Sequence, residues 1–140
     1  MKRVLKSLAL IAAFSGVLPS AALAFRAING LEVNKVDNNV FEVIGRGRLV
    51  KSDYWCSAAD YLRRQRGMPW KTKIYVVSGI GSGVTTGAKS AVRFTANPEA
   101  IGLPLYEGGW VGDILTVGYG MSITSANDYC NDRVLRNFWD

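Results

Sequence analysis

The chain contains two cysteines, Cys56 and Cys130, 74 positions apart. Joining them would fix two distant parts of the fold against each other. Whether they join depends on the compartment, and the first residues bear on that. Lys2, Arg3 and Lys6 precede an apolar stretch over 8–18, which Pro19 and Ser20 interrupt. Ala22, Leu23 and Ala24 then supply the small-x-small pattern accepted by signal peptidase. The apolar stretch is about half of the ~20 residues needed to cross a bilayer. Residues 1–24 therefore read as a cleaved secretory signal, and 25–140 as one periplasmic or secreted domain with no further membrane-spanning segment. In an oxidising compartment an even pair of cysteines is a disulfide. Closing so long a loop contributes roughly 4 kcal/mol in the chain-entropy model. A catalytic dithiol would need the C-x-x-C spacing, which is absent.

The expected elements follow from local pattern. β-rich stretches at 31–36 and 40–44 flank Asp37, Asn38 and Asn39, residues suited to a tight turn, so a hairpin is expected. A helix follows, capped by Ser52 or Asp53 and ended by Gly67 with Pro69 beyond. Trp55, Ala58, Ala59 and Leu62 form its apolar stripe, with Cys56 at the flank, while Asp60, Arg63 and Arg64 are expected to face away. Residues 74–78 are apolar on both faces, as in a strand covered on each side. A glycine-rich connection over 79–87 leads to a strand over 89–95, where Val92 and Phe94 alternate with Ala91 and Arg93.

Apolar residues alternate from Leu115 to Ile123, predicting a long strand over 113–123 whose other face holds Thr116, Gly118, Gly120 and Ser122. Paired glycines mark a close approach by another element, here expected to be a helix. A second helix should begin at the capping pair Ser125 and Asp128 and bury Cys130, Val134 and Phe138. The order ββαβββα predicts an α+β domain: a mostly antiparallel sheet of about five strands, with two helices tied by the disulfide.

Much catalytic chemistry is excluded. The chain has no histidine, which removes Ser-His-Asp and Cys-His nucleophilic sites and the common zinc ligand sets. No metal or cofactor is expected. The run Gly83 to Ser90 comes near the G-x-x-x-x-G-K-[ST] phosphate loop, but Ala88 is inserted and a strand pattern follows. A phosphate loop needs a helix N-terminus there, so a hairpin loop is expected instead. Glu107 and Asp113 bracket an aromatic loop and are the candidate acid pair for glycan hydrolysis.

Binding features are clearer. With Lys2, Arg3 and Lys6 removed, 14 basic residues face 11 acidic ones. Eight of the basic residues (Arg46, Arg48, Lys51, Arg63, Arg64, Arg66, Lys71 and Lys73) fall within 46–73, against Asp53 and Asp60. Such asymmetry attracts anionic partners. The loop over 102–112 carries Tyr106 and Trp110 between glycines, a composition suited either to contact or to covering the core. Trp55, Trp70 and Trp139 read as packing residues, Trp70 as part of a plug under the first helix. The expected function is non-enzymatic binding of an anionic envelope component or a protein, with no role for nucleic acid. The alternatives are an inhibitor of a secreted lysozyme or protease, and a carboxylate-dependent cell-wall hydrolase.

Overall fold

The computed structural model describes residues 23–136. Residues 1–22 of the expected leader and the side chains of Val134, Phe138 and Trp139 lie outside the described residues. Six antiparallel strands form one sheet: β1 (Phe25–Arg26), β2 (Glu32–Lys35), β3 (Val40–Ile44), β4 (Lys73–Gly81), β5 (Ala91–Thr95) and β6 (Gly120–Ser122). Their order across the sheet is β1-β2-β3-β5-β4-β6. Helix α1 (Lys51–Asp60) precedes β4 and helix α2 (Ile123–Arg136) closes the described chain. The domain is α+β, as the sequence predicts, with the two-residue β1 as an additional edge strand.

The β2–β3 hairpin forms because Asp37 organises its turn, its Oδ1 accepting the N–H groups of Asn39 (2.7 Å) and Val40 (2.9 Å). Its register places Val33 opposite Val43 and Lys35 opposite Phe41. Across β3 and β5, Phe41 meets Phe94 and Val43 meets Val92, so these side chains share one face. That face receives Trp55, Ala58 and Ala59 from α1, Leu62 from the turn that follows it, and Ile123 and Ala126 from α2. Trp55 packs edge-on to Phe94 with centroids 5.0 Å apart. Each such fully buried large side chain contributes about 1.5–3 kcal/mol.

Cys56 and Cys130 are bonded, with their Cα atoms 4.9 Å apart, and join α1 to α2. Enclosed by the sheet, by α2 and by the turn after β1, α1 is buried on all sides from Asp53 to Asp60. This corrects the outward placement of Asp60, which is 6% exposed. Its Oδ2 accepts the N–H of Ile28 at 2.7 Å, and Arg64 holds both its oxygens. Asp60 and Arg64 pair at i, i+4, and through the Ile28 N–H the same carboxylate anchors the β1–β2 turn.

The helix also begins earlier than its polar residues suggest. Val50 occupies the cap position, and Asp53 reaches back from the first turn to accept the Val50 N–H at 3.1 Å. Beyond Asp60 the chain adds one π-helical turn, Tyr61–Gln65, and leaves the helix at Gly67. Trp70 is no plug: it is 45% exposed, with the Arg63 guanidinium stacked on it at 4.3 Å.

The largest departure is the predicted strand over 113–123. Only Gly120–Ser122 pairs as strand, and Ile123 already starts α2. Gly118 takes a left-handed φ of 81°, which turns the chain before β6. A side chain at Gly118 would strike the Pro104 carbonyl and the Tyr106 amide. The close approach is therefore made by a loop, with no helix there. At Gly120 it is made by the Tyr75 ring on the paired strand. Ser122 caps α2, accepting the Ser125 N–H at 3.1 Å, so the cap lies three residues before the expected Ser125. In β4, Ile74 and Val76 are buried while Tyr75 and Val77 are only half-buried, so cover on the second face is partial.

Candidate binding loop

Between β5 and β6 the chain makes a long excursion over 96–119, broken only by a 3-10 turn, Glu99–Ile101. Its base is held to the sheet through Val76 of β4. Gly118 donates its N–H to Val76 O (2.8 Å), accepts the Tyr106 N–H (3.0 Å), and is followed by Tyr119, whose carbonyl accepts the Val76 N–H (3.0 Å). Residues 104–106 thus run beside Gly118 as an extra, irregular layer.

Two further ties fix the return of the loop. Asp113 receives Lys51 Nζ at 2.6 Å and the Leu115 N–H at 2.8 Å, while its carbonyl accepts the Thr116 N–H and hydroxyl. The Lys51 ammonium and the Leu115 N–H hold the Asp113 carboxyl below the usual carboxylate range. The indole N–H of Trp55, in the core, donates to Ile114 O at 3.0 Å.

The aromatic residues of this loop have separate roles. Tyr106, though 37% exposed, stands edge-on to Tyr119, which stands edge-on to Trp55, so ring contacts run from the core to the loop. Its hydroxyl donates to Trp110 O at 3.4 Å, across the turn that carries Trp110. Trp110 itself is 89% exposed. Leu105 and Val117, adjacent across the Gly118 contact, are also exposed, as is Ile80 at the end of β4. Sequence reasoning singled out Tyr106 and Trp110 but missed Leu105 and Val117. The glycine pair at 118 and 120 was the signal that the chain doubles back there.

The basic segment is spread along both ends of α1. Arg46 pairs with Glu32 at 3.1 Å, Lys51 with Asp113, and Arg64 with Asp60. Arg63 donates to Met68 O and stacks on Trp70. Arg48, Arg66, Lys71 and Lys73 are exposed and make no ion pair among the described residues. Arg48 lies before α1, and the other three lie at its far end, so the structure does not gather the eight into one cluster.

Of the candidate acids, Asp113 is committed to Lys51 and Leu115 and held ionised, which suits an anchor and opposes a general acid. Glu107 is exposed on the loop.

The glycine-rich connection after β4 is also ordered by a carboxylate. Glu42 on β3 is fully buried, and its oxygens accept the Val84 N–H (2.9 and 3.0 Å) and the Thr85 N–H (3.0 Å). A side chain at Gly83 would collide with Glu42 Oε1. The near-phosphate-loop sequence is thus an anion-holding turn occupied by the protein's own carboxylate. No helix among the described residues is long and apolar enough to cross a membrane. No family model, curated protein or solved structure matches this chain.

Proposed function

We propose that this chain is an exported, non-enzymatic binding protein, freed of its leader after Ala24, that grips a protein partner through the loop over 102–119. One observation carries this reading: Trp110 stands 89% exposed on a loop whose base is tied to β4, α1 and the core. A large exposed ring on a preorganised loop loses little conformational freedom on docking, and Trp is prominent among residues that dominate binding energy. Leu105 and Val117, exposed by the Gly118 turn at the loop's base, offer further apolar surface. An inhibitor of a secreted hydrolase is the form of this function that best suits a protruding loop, since such loops enter clefts.

The anionic-envelope reading rests on Arg48, Arg66, Lys71 and Lys73, whose charges are unpaired among the described residues. A single experiment separates the two. Oxidised 25–140 and its Trp110→Ala variant are used to capture partners from periplasmic extract at low and high salt, and the captured fraction is assayed for hydrolase activity. Capture that survives high salt and disappears in Trp110→Ala is expected. Capture that washes off with salt, and is lost only on replacing Lys71 and Lys73, would move the function to the basic residues.

A further inference from the structure

A second site lies on the opposite edge of the sheet, away from the Trp110 loop. There a groove of about 580 Å³ runs along β2. Tyr61 from the π-helical turn and Arg66 just after it line one side, and Thr85 and Thr86, from the loop held by Glu42, line the other. Residues Leu23, Ala24 and Phe25 border its end.

The hydrogen-bond register along β2 identifies what is missing from this edge. Val36 donates to Val40 O, so Val36 and Val40 form a bonded pair, and in antiparallel pairing the bonded pairs recur at every second residue. Asn34 and Glu32 therefore bond toward β3, opposite Glu42 and Ile44. Val33 and Lys35 point their N–H and C=O groups the other way, toward β1. The same count from the β1 side agrees: Ala27 donates to Leu31 O, and Phe25 lies opposite Val33. The next bonded partner, opposite Lys35, would be residue 23. Among the described residues no backbone bond joins Leu23 to Lys35, and Leu23 is 96% exposed. The outward donor and acceptor of Lys35 face the groove open.

The charge around this gap is positive. Strand alternation puts the Lys35 side chain on the face of Val33, where Arg66 stands. The carboxylate that lines the groove, Glu32, is paired with Arg46. Removal of the leader after Ala24, on which this inference rests, adds the α-ammonium of Phe25 at the point where β1 would continue. It also removes Leu23 and Ala24 from the edge.

We propose that the groove binds the carboxyl-terminal end of an extended peptide, which adds to β2 in line with β1. The peptide runs in the direction of β1, so its last residue abuts Phe25. Its carboxylate meets the Phe25 ammonium, with Lys35 and Arg66 nearby. Its penultimate residue exchanges two backbone hydrogen bonds with Lys35. This is strand addition, in which the main chain supplies affinity and the flanking walls supply selectivity.

The test uses a fluorescein-labelled hexapeptide, Thr-Val-Thr-Val-Leu-Ala, as free acid and as C-terminal amide, titrated by anisotropy into 25–140. The free acid should bind, and the amide at least about tenfold more weakly, because a charge-assisted contact is lost. Lys35→Pro should abolish binding while Lys35→Ala only weakens it, since only proline removes the edge N–H and that N–H is not used by β3. Should Lys35→Pro fail to fold, the chain 23–140 serves instead: it has no ammonium at Phe25 and keeps Leu23 and Ala24 at the groove's end, so the peptide's carboxylate loses its partner and its binding should fall. Equal binding of acid and amide, or full binding by 23–140, would overturn the proposal. So would sedimentation showing that β2 edges of two copies pair instead. Mass spectrometry of the exported protein separates the two levels. An N-terminus other than Phe25 removes the leader premise, whereas Phe25 with no peptide binding removes the groove site alone.

Discussion

Glu42 and Asp113 show how single carboxylates shape the two loops of this molecule. Glu42 is buried beneath 82–90 and holds two backbone amides, so its removal leaves donors facing an emptied hole. Glu42→Ala is expected to cost about 2–3 kcal/mol in urea unfolding. Formate or acetate at high concentration should restore part of the loss by entering the vacated position, and no such recovery should occur in the unsubstituted protein. Asp113 acts at the surface. Its carboxyl is held below the usual range by Lys51 and the Leu115 N–H, so the folded protein releases that proton more readily than the unfolded chain. The tie is complete above the ordinary aspartate value and is lost as pH falls through the lower folded value. With Trp70 and Trp139 replaced by phenylalanine and Trp55 kept because its indole ties the loop, the emission of exposed Trp110 should stay constant from neutral pH down to the ordinary aspartate range and change below it. Asp113→Asn should show the changed emission already at neutral pH.

At the scale of elements, the turn at Gly118 governs where the aromatic loop lies. Gly118→Ala would place a side chain against Pro104 and Tyr106 in a left-handed conformation. The expected loss is about 1–3 kcal/mol by urea denaturation, with faster rotation of Trp110 in time-resolved anisotropy. This turn also marks how far the sequence could be read. The β2–β3 hairpin, α1, β5 and the disulfide were legible because each has a local signature: an Asx turn, a helical stripe with a glycine stop, strict alternation, and two cysteines. Residues 113–123 alternate as cleanly as any strand, but Gly118 breaks the run, and only a tertiary neighbour, the 104–106 backbone, shows why. Asp60 was misread for a related reason, since nothing within α1 reveals that the Ile28 turn covers it. The candidate site was half legible. Tyr106 and Trp110 were marked, yet which ring joins the contacts to the core depended on Tyr119, and Leu105 and Val117 gained their place only through the doubled-back chain.

Across the whole molecule, α1 is the common support: the sheet, α2, the first turn and the Trp110 loop all rest on it. The Cys56–Cys130 bond reinforces this by tying α2 to α1. Replacing both cysteines with serine should lower stability by about 2–4 kcal/mol, read as a lower urea midpoint. The Lys51–Asp113 tie, formed on a different part of α1, should persist below that midpoint, so Trp110 emission should be unchanged in the folded variant. The bond has a topological side as well. The two long loops, 82–90 and 102–119, both lie between Cys56 and Cys130 in the chain, on the ring that the disulfide closes. A protease that severs either one opens the ring into two pieces still joined by sulfur. On the proposed inhibitor reading, the loop can therefore be cut by its target without the molecule coming apart.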